Sequence, residues 1–198
     1  MLLSKRDKIV QRQHRYDKGG TKMMPEIGMR VIYRTDGICK IEDVREEDFS
    51  SDGSSRRYYV LKPESNPGAT FYVPVDNPRL TEQMQPLLSE SEAKSMLALL
   101  DGDSPCEDQA WITDSRARGE HFRSIMAAGD RVSWIRVVRT IAARRKYLYA
   151  TGKKLPGADD AVLRKLMKAL TEEFSAVLHA DQNDIAMVLS GEAAYRAV

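Results

Sequence analysis

Cysteine is scarce in this chain of 198 residues, which carries only Cys39 and Cys106. Two cysteines do not make a disulfide framework or a zinc site, and we therefore expect a reducing, cytoplasmic compartment. Long apolar runs are lacking as well, since no stretch approaches the roughly 18 apolar residues of a membrane span. The basic N-terminus also lacks the apolar segment of a signal peptide. These absences predict a protein that does not bind membranes.

Residues that carry catalysis are equally few. The three histidines, His14, His121 and His179, have no metal-ligating partner at a useful spacing. The sequence contains no glycine-rich loop that would cradle a phosphate and no nucleophile elbow. Adjacent carboxylates such as Glu172 and Glu173 point to different helix faces, which favours solvated groups over a paired acid and base. We therefore expect neither enzymatic activity nor a cofactor.

The net charge of +2 conceals a strong segregation of charge along the chain. Residues 1–22 carry a charge of +5, and residues 23–130 carry −8. Residues 131–158 then hold eight basic residues and no acidic one, and the rest of the chain returns to −3. Such asymmetry indicates partners better than the total charge does. The basic stretch is expected to face nucleic acid, and the acidic half is expected to avoid it.

Short alternating segments in the first half of the chain predict β-strands. Asp36-Gly37 is a hairpin signal between the first two, because glycine accepts a positive φ at little cost. Pro74 cannot donate to a β-ladder, so the fourth strand should end there or lie at a sheet edge. Strands of this length and spacing favour a small β-barrel of the SH3 or Tudor type. The predicted strands cover residues 30–35, 38–44, 58–61 and 71–75.

The second half of the chain has helical periodicity and helix caps. Ser89 and Glu92 form a capping box, and Gly129 followed by Asp130 ends one helix, predicted over about 107–127, and caps the next. Trp134 lies on the apolar stripe of that next helix and is predicted to be core. The fold class is therefore α+β, with an N-terminal SH3/Tudor-like barrel followed by a compact all-helical domain. The predicted organisation is a basic flexible tail (1–23), the barrel with a trailing helix (24–100), a linker (101–109) and the helical domain (110–198).

The order of motifs in the barrel resembles a known domain. Gly28, Val31 and Tyr33 open it, Gly37 makes the turn, and the strand Tyr58-Tyr59-Val60-Leu61 is followed by the pair Val73-Pro74. In this order they resemble the RNA-polymerase-interacting domain of the CarD/CdnL family of bacterial transcription regulators, which also occurs in transcription-repair coupling factors. This chain departs from the pattern at Arg79-Leu80, where the family has the two residues in reverse order. The resemblance implies docking on the β subunit of RNA polymerase.

The aromatic residues of the strands are most simply explained as core. We expect this for Tyr58 and Tyr72, whereas Tyr33 fits either the core or the surface. The resemblance, however, places Glu47 and Tyr72 where the family has contacts with the polymerase. The polymerase contacts that it implies are therefore Tyr33, Arg34, Glu47 and Tyr72.

The helical half is similar to the second domain of the same family, so that the resemblance covers roughly residues 24–180. Its elements include Gly129-Asp130, Val137-Val138-Arg139 and Lys154-Leu155. It implies that the helical domain binds promoter DNA without strong sequence preference and stabilises the open complex, with a tryptophan wedged into the minor groove. We expect the protein to be a monomer. Trp111 is the candidate wedge, although it also fits a role in packing against the barrel. The implied DNA contacts are Trp111, Arg116, Arg118, Arg123, Arg136, Arg144, Arg145, Lys146, Lys153 and Lys154.

Three alternatives remain open at this stage. The protein could be a protein–protein adaptor that docks on the polymerase without a DNA wedge, or a small RNA-binding protein, since SH3-like barrels also occur there. The basic side chains could also be no more than a solvated helix face. Arg139 is a special case, because its neighbours are apolar and it could pair with Glu172 or Glu173 instead of DNA.

Overall fold

A computed structural model describes residues 25–49, 55–98 and 111–194. The basic tail predicted for residues 1–23 and the linker predicted for residues 101–109 lie outside the described residues. The chain divides into two compact units between Leu87 and Leu88, which we call the sheet unit and the helical unit. The first contains an antiparallel sheet and the second contains helices, which confirms the α+β class.

The described part of the sheet unit contains five antiparallel strands in the order β4-β3-β2-β1-β5. A short helix, α1, lies between β4 and β5, and Asn77 caps it by accepting a hydrogen bond from the Leu80 backbone. Gly37 has a φ of 89°, as the predicted hairpin between β1 and β2 requires. The strands are β1 (Arg30–Tyr33), β2 (Ile38–Glu47), β3 (Arg56–Pro63), β4 (Phe71–Pro74) and β5 (Met84–Pro86), and α1 is Pro78–Thr81.

The pairing of the strands corrects the expectation of a closed barrel. Within the described residues β4 and β5 are both sheet edges, so the ladder of hydrogen bonds stays open. β5 was not predicted, because its sequence Met-Gln-Pro is short and has no period-two pattern. The prediction for Pro74 is confirmed, since β4 ends at this residue and lies at an edge.

One face of the sheet carries an apolar core. Ile41, Leu61, Val73 and Cys39 are each completely buried in it. Along β2 the buried Cys39 and Ile41 alternate with exposed residues, as expected of a strand that buries one side, whereas β3 also buries Val60 next to Leu61. The core cluster consists of Val31, Tyr33, Cys39, Ile41, Tyr59, Leu61, Val73 and Met84.

The helical unit begins one helix earlier than predicted. Helix α2 packs against α5, and the backbone N–H of Leu88 just before it donates to Glu173 of α5 at 3.0 Å. The expectation that this helix trails the barrel within residues 24–100 is therefore wrong, because its apolar face is buried among helices. The helices are α2 (Glu90–Ala98), α3 (Ser115–Ala128), α4 (Arg131–Ala150), α5 (Gly157–Leu178) and α6 (Gln182–Ser190).

The predicted caps set the ends of these helices. The backbone N–H of Glu92 donates to Ser89 Oγ at 3.3 Å, and the Ser89 N–H donates to the Glu92 carboxylate at 2.8 Å, which confirms the capping box. Gly129 ends α3 with a φ of 71°, and Asp130 accepts from the Ser133 N–H. Helix α3 starts later than predicted, because Asp114 caps it.

Two ion pairs lie inside the helical unit, among apolar residues such as Trp134 and Phe174. Arg118 pairs with Asp159, and Arg131 pairs with Glu173, at closest distances of 2.9 Å. Trp134 is 1% exposed, which confirms its prediction as core. Among the described helices, none is long and apolar enough to cross a lipid bilayer.

Candidate functional site

Three aromatic rings meet on the sheet face opposite the apolar core. The ring centroid of Phe49 lies 4.7 Å from that of Tyr72 and 5.2 Å from that of Tyr58, in the edge-to-face arrangement that aromatic pairs prefer. The two tyrosine rings are 6.3 Å apart. Phe49 is nevertheless 58% exposed, and both tyrosines are only half-buried. We define the aromatic patch as Arg45, Glu47, Phe49, Tyr58 and Tyr72.

The strand period explains why these residues share a face. The patch residues on β2 and its continuation are two positions apart, which directs them to the same side. Tyr58 of β3 pairs with Arg45 across the ladder, and Tyr72 is a diagonal neighbour, because Tyr58 pairs with Pro74 of β4. The next residue, Tyr59, points into the core. The expectation that Tyr58 and Tyr72 are core residues is therefore wrong.

Charged side chains border the three rings. Arg45 Nη2 donates to the Tyr72 hydroxyl at 3.2 Å, and its Nε lies 2.7 Å from Glu47 Oε1. Arg45 thus connects Glu47 and Tyr72, two of the four polymerase contacts implied by sequence. Sequence reasoning missed Arg45 and Phe49. The spacing of Arg45, Glu47 and Phe49 at every second position was the signal that could have found both.

The other two implied polymerase contacts lie outside the patch. Tyr33 is 5% exposed in the core cluster, with its ring 5.7 Å from that of Phe71. Burial raises the pKa of Tyr33, and the nearby positive charge of Arg34 opposes that shift. Tyr33 therefore supports the sheet from inside and does not offer its ring to a partner. Arg34 is exposed at the end of β1, where its Nε donates to Gln83, and its role as a contact stays a prediction.

The edge of the sheet adjoins the aromatic patch. β4 pairs with β3 on one side, and its other side has no strand partner among the described residues. Backbone N–H and C=O groups on such an edge can pair with a strand from another protein. Tyr72 belongs both to this edge strand and to the patch. The sheet unit therefore combines side-chain anchors and a backbone edge in one place.

In the helical unit, Trp111 contacts two guanidinium groups. The Arg118 guanidinium carbon lies 4.5 Å from the Trp111 ring centroid, and that of Arg144 lies 5.3 Å from it. Arg144 also lies 5.1 Å from the centroid of the Tyr147 ring. These distances are those of cation–π contacts. Trp111 is half-buried in this arrangement, whereas Tyr147 is 59% exposed. We call Trp111, Arg118, Arg144 and Tyr147 the cation–aromatic cluster.

Arg118 is the anchored member of this cluster. Its Nε and Nη2 donate to the two carboxylate oxygens of Asp159, both at 2.9 Å, and its Nη1 donates to the backbone carbonyls of Ile112 and Thr113. Arg118 is only 5% exposed. A buried guanidinium with these four hydrogen bonds cannot also reach a phosphate. The expectation that Arg118 contacts DNA is therefore corrected, because the residue fixes the segment that carries Trp111.

The solvent-facing side of α4 is basic and carries an aromatic residue. Arg136 and Tyr147 are exposed and eleven residues apart, a spacing that returns to nearly the same helix face, and the exposed Lys146 lies on the neighbouring face. Lys153 and Lys154 follow directly after the helix and are exposed as well. The C-terminal end of a helix has a partial negative charge that favours nearby cations.

Most of the implied DNA contacts have no acidic neighbour. Arg116 pairs with Glu120 at 3.2 Å, and Arg145 lies 3.8 Å from Glu192. Both pairs are solvent-exposed and therefore weak. In the described ranges no ion pair involves the remaining basic residues of that set, which are Arg123, Arg136, Arg144, Lys146, Lys153 and Lys154. Cations that are not neutralised within the protein are available to phosphate groups.

No group of histidine, cysteine and acidic residues in the described part of the chain could hold a metal ion.

Arg131 and Arg139, which belong to the basic stretch by sequence, do not lie on its exposed side. Arg131 is 2% exposed and pairs with Glu173, and Arg139 donates to the carbonyl of Val188 at 3.2 Å. The surface that can meet DNA is therefore smaller than the eight basic residues suggest.

Comparison with known proteins identifies the sheet unit. Residues 26–88 match the family model of the CarD-like/TRCF RID domain, which is a CarD-like RNA-polymerase-interacting domain. The match covers about a third of the chain and ends within one residue of the end of the compact sheet unit. No curated protein matches the chain. The resemblance of the helical unit to the second domain of the CarD/CdnL family therefore stays a prediction.

Proposed function

We propose that this protein is a non-enzymatic bacterial transcription regulator that docks on the β subunit of RNA polymerase and stabilises the promoter open complex. The observation that carries this proposal is the match of residues 26–88 to a polymerase-interacting domain. A polymerase-docking unit joined to a unit with a basic surface can bring that surface to the promoter. In this proposal the protein acts in the cytoplasm as a monomer and needs no cofactor.

The aromatic patch and β4 make up the proposed docking surface. Interfaces gain most of their affinity from a few aromatic and arginine side chains near their centre, and Phe49, Tyr58, Tyr72 and Arg45 supply both types. Tyr58 and Tyr72 cover only part of the Phe49 ring, and 58% of the surface of Phe49 stays exposed. Burying that ring against a partner removes apolar surface from water. The open edge of β4 can extend the sheet at the same time.

The helical unit supplies the proposed DNA surface. Arg123, Arg136, Lys146, Lys153 and Lys154 are exposed and have no acid within ion-pair distance in the described ranges. Phosphate contacts of this kind give affinity without sequence preference. The half-buried Trp111 would then contact the distorted base steps at the edge of the melted region. Its two guanidinium neighbours hold the ring in place before DNA arrives.

Binding of the full chain to a purified β-subunit fragment tests the docking surface. Phe49→Ala and Tyr72→Ala should each weaken binding by about 1–2 kcal/mol or more, as hot-spot residues do. Ile27→Ala is the matched control, because Ile27 is also a large exposed apolar residue of the sheet unit, at 61% exposure, but lies outside the patch. Equal losses for all three variants, or none, would contradict the proposed surface.

The lifetime of the promoter open complex tests the role of the helical unit. Trp111→Ala should shorten this lifetime while binding to the β-subunit fragment stays unchanged. The alternative is an adaptor that docks on the polymerase without contacting DNA. The partial burial of Trp111 against two guanidinium groups favours this adaptor, because the ring already has contacts within the protein. An adaptor predicts normal docking and an unchanged open-complex lifetime for the same variant.

A further inference from the structure

Two exposed tyrosines lie at the C-terminal end of α4, beside the proposed phosphate contacts. Tyr147 is 59% exposed and Tyr149 is 84% exposed. Among the aromatic residues in the described part of the chain, only Phe49 has a comparable exposure. Phe49 belongs to the proposed docking surface. A core role explains neither tyrosine, since folding leaves most of both rings in water.

The surroundings of both rings are cationic. Tyr147 lies against the guanidinium of Arg144, with 5.1 Å between the guanidinium carbon and the ring centroid. Tyr149 lies within the run Arg144-Arg145-Lys146 to Lys153-Lys154, and the helix ends just beyond it at Thr151. The backbone N–H groups of Gly152 and Lys153 fold back onto the carbonyls of Tyr149 and Leu148, which brings the two lysines close to the helix end.

Exposed aromatic rings among cations, most of which make no ion pair in the described ranges, are the elements of a site for single-stranded nucleic acid. The cations follow the phosphates, and each ring offers a flat face on which an unpaired base can stack. Paired bases within a duplex cannot reach such a ring, because they are already stacked. Tyr147 and Tyr149 are two positions apart on a helix, so they face different directions and would take two separate bases.

We propose that Tyr147 and Tyr149 stack unpaired bases of single-stranded DNA across the C-terminal end of α4. This inference rests on the proposed function, which places the helical unit at a melted promoter, and it adds the bases of the separated strand as a second ligand. Phosphate contacts alone favour the duplex, which has the higher charge density, whereas a tyrosine ring that stacks a base favours the unpaired strand. The rings thereby favour the melted state of the DNA directly.

Anisotropy measurements with the full chain test the proposal, using a labelled oligothymidylate and a labelled duplex of the same length. Tyr149→Ala and Tyr147→Ala should each weaken oligothymidylate binding by about 5-fold to 150-fold, the range for loss of one stacked base. Duplex binding should change by less than about 2-fold, as for an ordinary surface substitution. Tyr149→Phe and Tyr147→Phe keep the rings and should bind like the wild type.

Met187→Ala is the control for loss of exposed apolar surface, because Met187 is 45% exposed in the same unit but lies outside the basic run. Unchanged oligothymidylate binding by both alanine variants would overturn the proposal, and so would equal losses on single strand and duplex. Tighter binding to oligouridylate than to oligothymidylate would replace DNA with RNA as the ligand. Tyrosine-dependent binding in a protein that fails to bind the polymerase would leave this inference standing and remove the proposed function.

Discussion

The buried pair of Arg118 and Asp159 is predicted to hold Trp111 in position, and Asp159→Asn tests this. The substitution keeps the size of the side chain but removes its charge. Arg118 then keeps its hydrogen bonds to the carbonyls of Ile112 and Thr113 but loses a carboxylate that two of its nitrogens contact at 2.9 Å. Its guanidinium, 4.5 Å from the Trp111 ring, is no longer fixed from the other side.

The structure provides a matched control for this substitution. Glu173 accepts from Arg131 Nε and Nη2 at 2.9 Å and 3.1 Å, in a second buried pair on the same helix, α5. Arg131 of that pair lies beside Trp134, with 5.8 Å between its guanidinium carbon and the ring centroid, whereas Arg118 lies beside Trp111. Removing one partner of a buried ion pair costs about 3–5 kcal/mol. Asp159→Asn and Glu173→Gln should therefore destabilise the helical unit by similar amounts, which lowers Tm by roughly 10–20 °C.

Acrylamide quenching of tryptophan fluorescence separates a positioning role from simple stabilisation. Trp134 is 1% exposed and hence protected, so the quenchable emission of the wild type comes from the half-buried Trp111. At a temperature where both variants remain folded, Asp159→Asn should increase the quenching, whereas Glu173→Gln should not. Equal quenching in the two variants would refute the argument that Asp159 positions Trp111 through Arg118.

Three further predictions concern other parts of the molecule. Burial raises the pKa of Tyr33, so its contribution to stability is present below the ordinary pKa of about 10 and is lost as pH rises through the raised value. Between neutral and strongly alkaline pH, the urea midpoint should therefore fall less steeply in Tyr33→Phe than in the wild type. Equal slopes of the urea midpoint against pH in the two proteins would contradict this. Ser89→Ala should cost about 1 kcal/mol by removing the cap of α2, whereas Ser124→Ala, at an exposed position of α3, should change the unfolding free energy by less than about 0.5 kcal/mol. Combining Arg136→Ala with Lys146→Ala should lower the slope of the log–log salt dependence of duplex binding by roughly two. Arg116→Ala removes a cation that is already paired with Glu120 and should lower this slope less. An unchanged slope in the double variant would show that Arg136 and Lys146 are only solvated charges.

Local signals in the sequence account for most of the fold. The caps at Ser89, Gly129 and Asp130 depend on interactions within four residues, and each is confirmed. The domain boundary could not be placed in this way, because α2 joins the helical unit through burial against α5, a distant segment. The position of β5 could not be predicted either, because it is set by pairing with β1 and β5 has no strand signal of its own.

The candidate site was less accessible to sequence reasoning, because charge patterns do not show which cations are buried. Arg118 and Arg131 look like their exposed neighbours in the sequence, yet each is enclosed with a carboxylate from α5 more than forty residues away. The sequence allows Glu173 to pair with Arg139, but in the structure it pairs with Arg131, which lies two helical turns earlier. Only the folded chain decides between these partners.

This division of the arginines separates stability from recognition in the helical unit. The buried guanidiniums of Arg118 and Arg131 are neutralised by carboxylates and fix the positions of helices, so salt should affect them little. The exposed cations, such as Arg136 and Lys146, make no ion pair in the described ranges and contribute little to stability. Their charge is left to interact with a polyanion and should be sensitive to salt. A substitution on this exposed surface can therefore weaken DNA binding without unfolding the protein, whereas a substitution in either buried pair destabilises the helical unit, and one in the Arg118–Asp159 pair also changes the position of Trp111.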